Sequence, residues 1–262
     1  MKKYLAFAKS SVLEQMAYPS RFFTGFFIHA VIATVMIVIW SVIYKGKTSI
    51  DGYSFANFAT YMSLSLVIRE LTASGGVATS ISRHIRRGIL SQWLLKPVSF
   101  SRYLLVRSQS WGAVKIVMPT MVFATLVILK INLFSPPPLP LLFIVSLGLG
   151  ALVNLYVYSL VGSIAFWTVN VWGIISIYGR MADILSGSLF PLDFLPQKAG
   201  TLVGLLPFKY MHYAPISIYL GKADISAAFK IIAIQTAWVI ILSLLYKWVW
   251  GRGLRKYDAV GQ

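Results

Sequence analysis

The stretch FFTGFFIHAVIATVMIVIWSVIY, residues 22–44, decides the fold, because it holds no Lys, Arg, Asp or Glu. A helix rising 1.5 Å per residue needs ~20 such residues to cross ~30 Å of hydrocarbon, so this run is long enough to span a bilayer. It is also too long for the apolar region of a signal peptide. Met1-Lys2-Lys3 resembles the start of one, but Lys9, Glu14 and Arg21 interrupt the chain before the run begins, and an uncleaved first span is expected.

Composition extends the reading to the whole chain. Of 262 residues, 58% are hydrophobic and 12% charged, against about 45–50% apolar and about 25% charged in a soluble domain. The excess apolar surface must face lipid. The 24 Lys and Arg against 7 Asp and Glu, net +17, would suggest nucleic acid in a soluble chain. Here the basic residues lie between apolar runs, which points to the cytoplasmic excess of Lys and Arg in membrane proteins and to no nucleic-acid partner. Cysteine is absent, which excludes disulfides, Cys-ligated zinc and thiol nucleophiles.

The expected fold is all-α and integral to the membrane, a single permease domain over 1–262 with six transmembrane helices. The spans are placed at about 22–44, 53–81, 111–129, 141–166, 172–190 and 231–250. The second meets Arg69-Glu70 part-way, so its lower end is expected in a wet or protein-lined place. The third contains Pro119, whose freed carbonyl neighbours or waters would satisfy. The run Ser135-Pro136-Pro137-Pro138-Leu139-Pro140 is a rigid break. Between spans five and six, Pro191, Pro196, Pro207 and Pro215 separate apolar pieces too short to cross, which predicts a re-entrant or interfacial helical stretch on the outer side. Residues 1–21 carry Leu5, Ala8, Val12, Leu13 and Met16 at helical spacing and predict an amphipathic interfacial helix. With six spans both termini share a side. The segments 1–21, 69–115 and 247–262 hold 16 Lys and Arg and 3 acids, the opposite segments 7 and 3, so both termini are expected in the cytoplasm.

No enzymatic constellation is present. HExxH, GxSxG and CxxC do not occur, and His29, His84 and His212 fall in segments placed at different depths, so no catalytic residue and no metal site is expected. Gly46-Lys47-Thr48 matches the tail of a phosphate-binding loop, but Ser41 stands where the first glycine belongs and a membrane helix precedes it. The chain is not expected to hydrolyse ATP by itself.

Two features remain that could carry function. In the acid-free basic segment, Ile85, Ile89, Trp93 and Leu94 recur at helical spacing among Arg83, Arg86 and Arg87, followed by Lys96 and the helix-stopping Pro97. Such a helix either anchors to anionic lipid or docks on a partner. Arg180 and Asp183 lie inside the fifth span at i, i+3 spacing, where they can pair on one helix face, either structurally at a subunit contact or as a substrate or gating contact. Asn154, Asn170, Ser146, Gly150, Ser159 and Ser163 fit close helix packing.

The order of these elements resembles the permease subunits of type-2 ATP-binding-cassette exporters, the family that includes daunorubicin-type drug efflux permeases. The likeness rests on Arg87-Gly88-Ile89-Leu90-Ser91-Gln92-Trp93-Leu94-Leu95-Lys96-Pro97-Val98 and on Ser186-Gly187-Ser188-Leu189-Phe190-Pro191-Leu192-Asp193-Phe194-Leu195-Pro196, followed by Leu206-Pro207-Phe208 and Pro215. The resemblance implies residues 83–98 as a cytoplasmic coupling helix, with Arg83, Arg86, Arg87, Ile89, Trp93, Leu94, Lys96 and Pro97 on it. It also implies Gly187, Pro191, Pro196 and Pro207 in the re-entrant loop. It further implies a homo- or heterodimer of permeases in a prokaryotic cell membrane, with cytoplasmic ATPase subunits that hold the ATP and Mg; this chain itself would bind no cofactor. Export of an amphipathic, drug-like or lipid-like cargo is the expectation, to which the aromatic content lends slight support. An ion-coupled secondary transporter is the alternative, opposed by the lack of a repeat between 1–130 and 131–262 and by Asp183 being the sole acid deep in a span. An integral membrane enzyme is the third reading.

Overall fold

The computed structural model describes Ser10, Leu13, residues 19–72, 75–96 and 137–257, and also Phe100, Tyr103, Leu104 and Val106. The third predicted span over 111–129, and nearly all of the interfacial helix over 1–21, lie outside the described residues. Among the described residues every regular element is helical, apart from one isolated bridge between Ile50 and Tyr53.

Helix α1 (Pro19–Ile43) presents Phe27, Ile28, Val31, Val35, Val38 and Val42 outward. Helix α2 (Phe55–Leu71) starts on Ser54, whose hydroxyl accepts from the Asn57 amide at 3.2 Å. The two helices meet through aromatic rings, with the Trp40 and Phe58 centroids 4.1 Å apart.

The second span, predicted as one helix over 53–81, is two helices. Helix α2 stops at Leu71 and α3 (Gly75–Arg86) begins again beyond Thr72-Ala73-Ser74. Hydroxyl side chains offer the backbone alternatives to the helix, and Gly75-Gly76 weakens its propagation, so a count of apolar residues carries the span through a place where local propensity ends it. The Thr72 amide makes the last bond of α2, to Ile68 O at 2.8 Å, and its carbonyl is satisfied from a neighbouring helix, accepting from Asn154 Nδ2 at 2.9 Å.

The basic segment, predicted as one helix over 83–98, is also divided. Arg83 and Arg86 belong to the last turn of α3, and helix α4 (Leu90–Leu94) follows separately. Between them Gly88 takes φ +69°, a left-handed conformation that a Cβ makes costly, and this turns the chain.

Helix α5 (Pro140–Ser163) continues as a 3-10 turn over Ile164–Phe166, and α6 (Trp172–Leu185) follows. Four short elements come next: a 3-10 turn at Leu192–Phe194, α7 (Gln197–Gly204), a 3-10 turn at Pro207–Tyr210 and α8 (Tyr213–Tyr219). Helix α9 (Ile225–Lys256) ends the described chain. Among the described residues Pro140–Phe166 and Ile225–Lys256 are long and apolar enough to cross a membrane. Only 28% and 17% of their apolar stretches are buried inside the protein, so they are not core helices of a water-soluble fold. At 1.5 Å per residue α9 is about 48 Å long, which exceeds ~30 Å of hydrocarbon and leaves its basic last turns, with Arg252, Arg255 and Lys256, beyond it.

Helix α5 is the centre of the bundle, contacted by α3, α8 and α9. Close approach is possible because of Gly150, where a Cβ would stand 2.9 Å from both the Tyr210 and Met211 carbonyl oxygens. Gln235 of α9 is fully buried, and its Nε2 donates to Ser146 O at 3.0 Å and Tyr210 O at 2.9 Å, tying α9 to α5 and to the chain before α8. The two largest apolar clusters among the described residues lie on either side of this contact. One holds Phe58, Tyr61, Leu64, Ile68 and Ile216; the other, at the basic end, holds Val77, Ile81, Leu90, Phe100, Leu155 and Phe166. The break in the α2–α3 rod falls between them.

Candidate functional site

At that break the bundle contains a polar cavity of about 330 Å³. Helix α2 supplies Arg69 and Glu70, α5 supplies Asn154 and Tyr158, and the chain entering α8 supplies His212. Helix α6 contributes Ser176, Arg180 and Asp183 and its C-cap residue Ser186, which recur every three or four residues, while Ile177, Met181 and Ile184 face outward.

The ion pair in this cavity is not the predicted one. The Asp183 carboxylate faces Arg69 Nη2 at 3.9 Å, joining α6 to α2, and no carboxylate of the described residues pairs with Arg180. Spacing along α6 permits the Arg180–Asp183 pair, but the side chain of Arg180 is exposed, whereas Asp183 turns toward the broken end of α2. Arg180 and Asp183 therefore share one cavity without bonding.

His212 is buried here. Its Nε2 lies 3.4 Å from Thr72 Oγ1, whose own hydrogen goes to Ile68 O at 2.8 Å. Thr72 can then only accept from the ring, so a neutral His212 carries its hydrogen on Nε2 and leaves Nδ1 as a bare acceptor. Among the described residues that Nδ1 has no hydrogen-bond partner, and neither does the buried Ser186 hydroxyl.

At the basic end, Trp93 does not project as a docking knob. It stacks on Tyr103 with centroids 4.2 Å apart and meets Phe100 at 5.6 Å and His84 at 6.2 Å; Phe100 in turn stacks on Trp250 of α9 at 5.7 Å. Apolar periodicity marks a residue that will be covered but does not say by what, and here this chain's own rings cover it. Leu90 and Ile85 are buried in the same core, and Ile89 is half-buried. The outward surface is formed by Arg83, Arg86, Arg87, Gln92, Lys96 and Leu95, the last 88% exposed. Lys96 Nζ sits 4.4 Å above the Trp93 ring. The Leu94 side chain and Pro97 lie outside what is described.

At the opposite end, Gly187 ends α6 with its carbonyl accepting from Tyr61 Oη at 2.6 Å. Pro191 precedes the 3-10 turn at Leu192–Phe194, Pro196 precedes α7, and Pro207 begins the turn at Pro207–Tyr210. These prolines delimit the short elements, since a ring nitrogen without hydrogen suits a helix start. Asp193 gathers the stretch: it accepts from Tyr53 Oη at 2.6 Å and Tyr213 Oη at 2.8 Å, and Lys222 Nζ approaches to 3.6 Å. Burial pulls the Lys222 ammonium below the ordinary lysine range, an effect Asp193 opposes.

A family model of ABC-2 family transporter proteins matches residues 30–261, nearly the whole chain. The chain belongs to the ABC-2 transporter family. As an ABC-2 permease it is a transport subunit of the membrane, of a family that works with ABC ATPase subunits. A comparison with curated proteins found no match. Sequence reasoning missed Arg69, Asn154, Ser186 and His212 as a group, because four separate segments bring them together. The one signal was Arg69-Glu70 interrupting an apolar run, which did mark a polar place.

Proposed function

We propose that this ABC-2 permease is the membrane-spanning half of an exporter for an amphipathic, drug-like or lipid-like molecule, driven by ATP hydrolysed on a separate subunit. The observation that carries the reading is the surface around α4. A nearly fully exposed leucine, Leu95, stands among Arg83, Arg86, Arg87 and Lys96 on a segment clamped to α9 by stacked rings. An apolar knob in a basic rim, held on a rigid aromatic base, suits docking to a soluble partner and passing its motion to the long helix. Two permeases, as homo- or heterodimer, would rock between inward- and outward-facing states as two ATPases close on ATP and Mg. The proposed topology has six spans, both termini in the cytoplasm of a prokaryotic cell, and the short elements over 191–224 re-entering from outside.

The test is isolation of the tagged chain from native membrane in gentle detergent at physiological salt, followed by mass spectrometry. A stoichiometric soluble protein carrying Walker A and B motifs is expected. Recovery of the chain alone, or only with copies of itself, would overturn the reading.

A further inference from the structure

Helix α9 carries no charged residue between Lys230 and Lys247. At 1.5 Å per residue that stretch is about 25 Å long, close to the ~30 Å of hydrocarbon that lysines can bracket by reaching outward from either edge. Along its outward surface Ile240, Ile241, Leu244 and Leu245 give way at Trp248 to Arg252, Arg255 and Lys256, all of them exposed. The ring of Trp248 is itself open, and the Arg252 guanidinium carbon lies 4.4 Å from its centroid. An exposed tryptophan where an apolar surface turns basic suits the head-group level of a bilayer.

Two glycines interrupt this end of the helix, and packing explains one of them. A Cβ on Gly253 would run into the Phe166 ring, so the close approach of α9 to the end of α5 requires it. Gly251 is exposed, and a Cβ there would meet nothing within 4 Å. Glycine inside a helix lowers its stability relative to alanine, so this one asks for a different reason. Residues four before and four after share its face of the helix, and these are Lys247 and Arg255, both exposed; Trp248 stands three before. The missing side chain leaves a gap on the helix surface with a cation one turn to either side. The Cα atoms of Lys247 and Arg255 are separated by about 12 Å of helix, which two long side chains can close upon one phosphate. Among the described residues none of Lys247, Arg252 and Arg255 is paired with a carboxylate.

We propose that the phosphate of an anionic phospholipid lodges over Gly251, held by Lys247 and Arg255, with Trp248 beside its glycerol and the acyl chains along Ile241 and Leu244. Charge selects the occupant, because a zwitterionic lipid would bring a quaternary ammonium to a surface that already holds Lys247, Arg252, Arg255 and Lys256. The inference rests on the membrane placement of α9 and is independent of ATP-driven export, so a missing ATPase leaves it standing.

The test is native mass spectrometry of the purified chain in neutral maltoside detergent, titrated with phosphatidylglycerol or with phosphatidylcholine of the same acyl chains. The first phosphatidylglycerol is expected to bind at least tenfold more tightly than the first phosphatidylcholine. Gly251→Leu fills the gap without removing a charge. It should weaken phosphatidylglycerol binding at least fivefold at an undiminished melting temperature, since leucine favours the helix. The double variant Lys247→Gln/Arg255→Gln should show the same loss. Arg86→Gln/Arg87→Gln, which removes equal charge elsewhere on the basic end, should leave binding unchanged. Equal affinity for the two lipids, unchanged affinity in Gly251→Leu, or an equal loss in the Arg86/Arg87 variant would overturn the proposal in favour of diffuse charge. Loss of a co-purifying soluble protein in Gly251→Leu, with lipid affinity intact, would overturn it by giving the surface to a protein partner.

Discussion

Replacing Asp183 with Ala would leave the Arg69 guanidinium at the cavity without the carboxylate that faces it at 3.9 Å. Both groups are partly open to the cavity, so the expected loss is moderate, about 1–2 kcal/mol, below that of a fully buried pair. The double variant Arg69→Met/Asp183→Ala should melt higher than Asp183→Ala alone, because no charge is left unmatched, and Arg180→Met should barely move the melting temperature. If Arg180→Met instead rescued Asp183→Ala, the pair would be the one that spacing on α6 suggested. Tyr61→Phe tests a different contact: it strips the partner from the buried Gly187 carbonyl, and a loss of about 1–2 kcal/mol in detergent melting is expected. The sequence marked Arg180 and Asp183 as unusual because charge in an apolar run is costly. It did not reveal Arg69 as the partner, since that contact depends on where α2 breaks and how α6 is rotated, neither of which is local.

Helix α4 and the end of α3 show how periodicity can identify an element and misassign its face. Ile85, Ile89 and Trp93 do recur at helical spacing, but Ile85 and Trp93 pack inward in the core that holds Phe100 and Tyr103, and the most exposed apolar residue of the segment is Leu95. Trp93→Asp should therefore destabilise the permease itself, lowering its melting temperature and breaking the contact to Trp250 through Phe100. Leu95→Asp should leave the melting temperature unchanged and weaken only partner binding. A lowered melting temperature in Leu95→Asp, with none in Trp93→Asp, would reverse the assignment. Gly88→Val tests the turn between the two helices: holding a β-branched residue at φ +69° costs at least the ~1–2 kcal/mol typical of a left-handed residue. Within the bundle, Gly150→Val would press on two carbonyl oxygens 2.9 Å from its Cβ, for an expected loss of about 1–3 kcal/mol.

For the whole molecule, the helices that need nothing but apolar length were legible. The apolar runs that gave the fourth and sixth predicted spans, the latter broken only by Lys247, lie within Pro140–Phe166 and Ile225–Lys256. The second predicted span was read through its own interruption, because Thr72-Ala73-Ser74-Gly75-Gly76 carries no charge, and hydropathy alone does not register where Gly and hydroxyl residues release a helix. The cavity was legible only as a wet place near Arg69-Glu70; its other walls come from α5, α6 and the chain before α8, which sequence order does not bring together. What makes the molecule a machine is the proposed link from a docked ATPase through α4 and the aromatic stack to α9. The absence of cysteine makes that link directly testable, since any introduced thiol is unique. The decisive measurement is photocrosslinking in native membranes from Leu95→Cys carrying a benzophenone maleimide, with the same probe at Gly204 as the control at the opposite end. An adduct with a soluble protein bearing Walker motifs, formed from position 95 and not from 204, is expected. Adducts with lipid alone at position 95, or capture of the ATPase from 204 instead, would contradict the assignment of this surface as the docking site.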